Sequence, residues 1–170
     1  MNNIEYYISE YGKDIFSFCV YLTRNKDEAE DLYQQTFLVA IEKNDIDDGN
    51  NPKSYLITIA ANIWNNRKRK RLWRKNKADI VLFHDDDLTN LQSDKESLEQ
   101  LVERNDEIHH LRKAVYDLPD KMRIVVLMHY MENMSLEQIS NSLDIPIGTV
   151  KSRLHHAKNE IRERMTYEGY

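Results

Sequence analysis

From Ile4 to Leu22 the apolar residues Ile4, Tyr7, Ile8, Tyr11, Ile15, Phe18, Cys19 and Leu22 stand three and four residues apart. That spacing predicts a helix with one buried face. The same period governs two further segments. Asp27 with Glu30 three residues on reads as a capping box that opens a second helix running to about Lys43. Its buried stripe is expected to be Ala29, Leu32, Tyr33, Thr36, Phe37, Ala40 and Ile41. Asn44 to Asn51 is rich in Asn, Asp and Gly and predicts a loop, closed by Pro52 at a favourable first helical position. A third helix passes through Tyr55, Leu56, Ile59, Ala60 and Ile63 into the basic run Arg67 to Arg71. Only four Gly and three Pro in 170 residues leave little turn chemistry for a many-stranded sheet.

Residues 79–97, with Asp85-Asp86-Asp87 and Ser93-Asp94-Lys95-Glu96, lose the helical stripe and carry strong like charge, as an extended linker does. Periodicity returns at Leu98, Leu101, Val102, Ile108, Leu111 and Val115, halts at Leu118-Pro119, and resumes at Met122, Val125, Val126 and Met128. Ser135 and Gln138 form a second capping box, with Leu136, Ile139 and Leu143 as the apolar face behind it. Asp144-Ile145 then makes a tight turn before a last helix from Thr149 to Arg164. This is the spacing of a helix-turn-helix. The expected fold is all-α, with two small helical domains at 1–78 and 98–170 joined by a flexible acidic linker at 79–97; the second domain contains the helix-turn-helix.

Charge is sorted along the chain rather than mixed. Residues 1–48 hold 4 basic and 11 acidic side chains, and residues 49–78 hold 9 basic and none acidic. Residues 79–107 hold 2 basic and 10 acidic, and residues 108–170 hold 9 and 8. The net charge of −5 therefore does not exclude nucleic acid, because screening confines electrostatic attraction to local patches within a Debye length of about 8 Å. The single cysteine, Cys19, cannot form an intrachain disulfide and suits a reducing cytoplasm. The start Met1-Asn2-Asn3-Ile4-Glu5 has no basic and apolar leader pattern, and no apolar run approaches the roughly 18 residues of a membrane span. An unexported chain without direct membrane insertion is expected.

On the last helix Val150, Leu154, Ala157 and Ile161 fall on one side, leaving Thr149, Lys151, Ser152, Arg153, His155, His156 and Asn159 on the opposite arc, with Lys158 a candidate phosphate contact. Hydroxyls, amides and cations on the first turns of such a helix reach phosphates and base edges in a major groove. A merely solvated face would not call for the capping box, the tight turn and Gly148 together. The run Arg67, Lys68, Arg69, Lys70, Arg71 with Arg74, Lys75 and Lys77 follows a helix bearing Tyr55, Asn62, Trp64 and Asn66, and encloses Trp73. Cations, aromatics and amides together suit separated nucleic-acid strands; a solvated helix end is the plainer reading of the run alone. On the second helix Asp31, Gln34, Gln35 and Leu38 lie off the buried stripe, as a protein-docking face or as an ordinary amphipathic surface with an incidental Leu.

Catalytic patterns are missing from the sequence: it has no glycine-rich phosphate loop, no Cys-x-x-Cys and no His-Glu-x-x-His. The adjacent pairs His155-His156 and His109-His110 diverge by about 100° on a helix and chelate poorly. The acids at 85–87 would need a second motif to hold a divalent ion. No cofactor and no metal are expected.

Three stretches in order resemble the extracytoplasmic-function branch of the sigma-70 family, across nearly the whole chain. Asp27-Glu-Ala-Glu-Asp-Leu-Tyr-Gln-Gln-Thr-Phe37 is similar to the family's DAEDLVQETF segment, which docks on the clamp helices of the polymerase core. Leu56-Ile-Thr-Ile-Ala-Ala-Asn62 with Arg67 to Arg71 resembles its promoter-melting segment. Leu118-Pro119, Ser135 to Ile139 and Gly148-Thr-Val-Lys-Ser-Arg153 resemble its upstream-element reader. The chain departs from the family's usual residues with Tyr55 for Trp, Ala61 for Arg, Asn66 for Asp, Gln35 for Glu, Asp144 for Gly and Pro146 for Ser.

The resemblance implies a non-enzymatic alternative sigma factor that directs core RNA polymerase to promoters and helps open them. It places core binding at Asp31, Gln34, Gln35 and Leu38, and minus-thirty-five duplex binding at Thr149, Lys151, Ser152, Arg153, His155, His156 and Lys158. It places binding of the melted minus-ten strand at Asn50, Asn51, Tyr55, Asn62, Trp64, Arg67, Arg69 and Arg71, with the loop Asn44 to Asn51 holding a flipped base. It also implies an anti-sigma factor that keeps the protein inactive, in the cytoplasm or at the membrane. Two other readings fit parts of the chain: a helix-turn-helix repressor or activator binding duplex unaided, and a metal-dependent nuclease or nucleotidyltransferase. Neither uses both the docking-like and the melting-like segments.

Overall fold

The computed structural model describes residues 4–46, 51–77, 106–167 and 169. The proposed linker at 79–97, the apolar positions Leu98 to Val102 and the loop residue Asn50 lie outside them. The chain divides into two units, Met1–Lys95 and Glu96–Tyr170. The described residues form seven helices.

The first unit is a three-helix bundle of α1 (Ile4–Thr23), α2 (Lys26–Lys43) and α3 (Pro52–Lys77), each packed on the other two. Ile15, Phe18, Cys19 and Leu22 from α1 meet Ala29, Leu32 and Phe37 from α2 and Leu56, Ile57, Ala60 and Trp64 from α3, all buried. Of the residues that the three-and-four spacing assigns to the α1 core, Ile4 and Tyr11 are half-buried and only Ile8 is exposed.

Local chemistry sets the helix ends. Arg24 takes a left-handed φ of 59° between α1 and α2. The Asn25 side chain then accepts the Glu28 N–H at 3.0 Å, so Asn25, not Asp27, is the cap, and α2 opens two residues earlier than the Asp27–Glu30 pair suggests. The same Asx-x-x-Glu spacing occurs two residues upstream, and the backbone reversal at Arg24 selects it. At the other end Asn44, with φ 50°, donates its N–H to the Ala40 carbonyl at 3.1 Å, the left-handed stop that asparagine tolerates. Pro52 opens α3, and the Asn51 carboxamide oxygen accepts the Ser54 N–H at 3.2 Å.

The second unit holds α4 (Asp106–Tyr116), α5 (Asp120–Val126), α6 (Leu136–Leu143) and α7 (Ile147–Tyr167). Helix α7 packs against α4, α5 and α6, with Val150, Leu154 and Ala157 in the core. Arg123 is buried there, its guanidinium donating to the Leu118 carbonyl at 2.6 Å and to the Asp120 carboxylate. An unforeseen feature extends α5: Leu127–Met131 forms a π turn. The Ser135–Gln138 capping box is present in full.

Candidate nucleic-acid and protein interfaces

The helix-turn-helix is fixed by its turn. Asp144 adopts φ 53° where a glycine would be easiest. Ile145 donates its N–H to the Ser140 carbonyl at 3.1 Å, and the Ser140 hydroxyl donates to the Ile145 carbonyl at 2.6 Å. Turn and helix are thus tied by two bonds. Pro146 presents its carbonyl to the Thr149 N–H at 2.9 Å, and α7 begins at Ile147, two residues before the expected Thr149.

With Val150, Leu154 and Ala157 buried, Lys151, Ser152, His155, His156, Lys158 and Asn159 are exposed, while Thr149 and Arg153 are half-buried at the edges. The sequence-predicted residues of this helix therefore lie together on its outward side. Asn159 Nδ2 lies 3.3 Å from His155 Nε2 along that face, and the Lys158 ammonium sits over the Tyr130 ring at 5.6 Å. Tyr130 stands outside the apolar period of its segment, on the π turn Leu127–Met131.

In the first unit the basic and acidic faces meet. Arg67 Nη2 donates to Asp31 Oδ2 and to Gln35 Oε1, both at 2.5 Å, and Arg71 pairs with the Glu28 carboxylate. Two residues expected to dock a protein, Asp31 and Gln35, thus hold a cation expected to bind DNA. Lys68 and Arg71 lie over the Trp64 ring at 5.5 and 5.7 Å. Trp64 is only 4% exposed, and its indole N–H has no hydrogen-bond partner among the described residues. It is a core residue capped by cations, not an open platform for a base, which corrects the expectation for it. Trp73, within the basic run, is 59% exposed and offers the solvent-facing aromatic surface that stacking requires.

Asn62 and Arg69 are exposed on α3. Tyr55 is half-buried, and its hydroxyl is hydrogen-bonded to the Asp45 carboxylate. Burial, then that bond and the carboxylate charge, push the phenol up to about 12. Tyr55 therefore ties the start of the loop to α3. Asn51 is exposed with its carboxamide oxygen engaged as the α3 cap.

On α2, Gln34 and Leu38 are exposed as expected. Ile41 was expected in the buried stripe but is 49% exposed beside Leu38 at 57%. It stands three residues after Leu38 and seven after Gln34, so the helical period that named Leu38 also reaches it. Two neighbouring exposed aliphatics make a stronger docking signal than one.

Among the described residues no group of three or more His, Cys, Asp or Glu is placed to share a metal ion. Nor is any described helix long and apolar enough to cross a membrane.

Comparison with known proteins accounts for both units. Residues 7–74 match the family model described as Sigma-70 region 2, and residues 110–161 match that described as Sigma-70, region 4. The ECF RNA polymerase sigma factor SigW of Bacillus subtilis is 31% identical over 163 residues, covering 91% of this chain and 84% of that protein. SigL of Mycobacterium tuberculosis, also an ECF RNA polymerase sigma factor, is 28% identical over 155 residues, covering 90% and 83%. A solved structure of the sigma factor RpoE with the anti-sigma factor NepR from Bartonella quintana shares the fold, with a TM-score of 0.71 and 23% identity over 98% of each chain. With a three-helix region 2 unit, a helix-turn-helix region 4 unit and relatives aligned along both, the chain belongs to the extracytoplasmic-function family of sigma factors, which direct RNA polymerase to particular promoters.

Proposed function

We propose that promoter choice by this sigma factor divides between two places and that a third surface docks the polymerase core. The arrangement of α7 carries the reading: three apolar residues anchor it while Lys151, Ser152, Arg153, His155 and His156 project from its first turns. A helix so mounted reads the minus-thirty-five element in the major groove of intact duplex, with Thr149 and Lys158 contacting the backbone. The loop from Asn44 to Asn51 takes an unstacked minus-ten base. Asn62, Arg67, Arg69, Arg71 and the exposed Trp73 guide the melted non-template strand. Asp31, Gln34, Gln35 and Leu38, extended by Ile41, meet the core. The protein performs no reaction of its own and works in the cytoplasm. An anti-sigma factor restrains it, at the membrane where that partner is membrane-bound; the resemblance to a sigma factor solved with its anti-sigma partner supports this part of the reading.

The test is transcription by reconstituted holoenzyme on a library randomised separately at the two elements. Arg153→Ala is expected to relax preference only upstream, where a bidentate base contact discriminates by about 1–3 kcal/mol. Asn50→Ala and Asn51→Ala are expected to alter preference and opening only at the minus-ten element. Crossed effects would overturn the division of labour. For docking, Asp31→Arg with Leu38→Glu is expected to weaken core binding without unfolding the chain, and wild-type affinity for core would overturn that assignment.

A further inference from the structure

We propose that Tyr130 is a positioning residue for DNA-backbone binding, its ring holding the Lys158 ammonium at the flank of α7 where it meets a phosphate. The inference rests on the reading that α7 lies in the upstream duplex. Along that helix Lys151, His155, Lys158 and Arg162 follow one another at intervals of four, three and four, and all are exposed. At about 100° per residue they form a single stripe, set to one side of the outermost residues Ser152, His156 and Asn159. The acids of the same helix, Glu160 and Glu163, lie off the stripe, and Glu160 is engaged by Arg164 at 3.3 Å. A row carrying the cations Lys151, Lys158 and Arg162 beside a base-reading arc is complementary to the phosphodiester backbone bordering the groove.

Lys158 is the member of the row that the fold holds in place. The π turn is closed by the Glu132 N–H on the Leu127 carbonyl at 3.1 Å, five residues apart. It inserts one residue into the end of α5, which turns the side chains after it by about 100° relative to an unbroken α-helix. His129 is fixed by Nδ1 at 2.8 Å from the Met134 carbonyl oxygen, and its ring meets the Tyr130 ring edge-on at 4.8 Å. The Tyr130 ring, half-exposed, is thereby braced by His129 while the Lys158 ammonium rests over it. A lysine on an aromatic face keeps its outward N–H groups available. It has also already lost much of the rotamer freedom that a phosphate contact would otherwise take from it.

The test measures affinity of the reconstituted holoenzyme, over a range of salt, for the promoter recovered from the randomised library. Tyr130→Ala is expected to weaken binding about two- to fivefold, equally on all upstream sequences, with thermal unfolding unchanged at this exposed site. Tyr130→Phe is expected to match the parent. Lys158→Ala is expected to lower the salt slope by about one, and adding Tyr130→Ala to it is expected to cost nothing more. Parent-like affinity in Tyr130→Ala, an equal loss in Tyr130→Phe, or additive losses in the double variant would each overturn the proposal. Arg153→Ala separates the two levels: if it leaves upstream preference intact, the reading of α7 fails; if it relaxes preference while Tyr130→Ala is silent, only the role of Tyr130 fails.

Discussion

A methyl group on Gly12 would stand 2.9 Å from the Tyr33 hydroxyl oxygen. The Tyr33 ring meets Phe16 and Phe37 edge-on, at 5.6 and 5.0 Å, so it cannot easily swing aside. Two effects oppose each other in Gly12→Ala: a helix gain of about 0.5–1 kcal/mol and an overpacking cost of about 1–3 kcal/mol. The cost is the larger, so the single variant is expected to lose stability in a denaturant titration. In a Tyr33→Phe background, where the hydroxyl is gone, the same change is expected to raise the midpoint. Cys19 gives a second residue-scale outcome. It is fully buried, and desolvation pushes its thiol from 9.0 up to about 12, against a smaller lowering by Arg67. A disulfide reagent is therefore expected to leave the native thiol untouched at pH 8 and to react once the chain is unfolded. Because the folded value is the higher one, the stability that Cys19 confers is whole below about pH 9 and is lost as pH climbs towards 12. Steeper alkaline destabilisation of the parent than of Cys19→Ala would show it.

At the scale of elements, caps decide where helices begin. Asn25→Ala removes the acceptor of the Glu28 N–H and is expected to cost about 1 kcal/mol. Asp27→Ala, which only weakens the charge at the helix N-terminus, is expected to cost about 0.3 kcal/mol. Equal losses in thermal melts would return the cap to Asp27. The ion pairs between α2 and α3 act differently. Asp31 is 58% exposed and Arg67 22%, so solvent and salt screen their attraction and the pair is worth no more than about 1 kcal/mol. It orients the two faces more than it stabilises the bundle, and substituting Asp31 should not unfold it.

For the whole molecule, two separate cores predict two unfolding events. Both tryptophans, Trp64 and Trp73, belong to the first unit, and Trp64 is buried. Tryptophan fluorescence therefore reports the first unit alone, while far-UV circular dichroism sums helices from both. The two denaturation curves are expected to differ in midpoint or slope, a departure from two-state behaviour. Superimposable curves would mean that the units unfold as one. Net charge is equally a poor guide at this scale, since −5 averages over an entirely basic third helix and an acidic start.

The helices, their order, the capping box at Ser135 and the outward arc of α7 were legible in the sequence because each depends on neighbours within one or two turns. Periodicity and short polar motifs encode that local physics directly. Resemblance supplied the family, and the two matched regions bore it out. What period alone could not assign is whether a residue near the edge of a stripe is covered. Ile41 and Ile8 share the helical spacing of core residues, yet both are exposed among the described residues. Trp64, read as an aromatic for stacking on a separated strand, lies in the core of the bundle instead, with cations from its own helix over its ring. The pairing of Arg67 with Asp31 spans 36 residues, and the seat of Lys158 on Tyr130 spans 28. Both depend on how whole helices cross, a distance at which neither propensity nor spacing carries information, so only the tertiary structure could decide them.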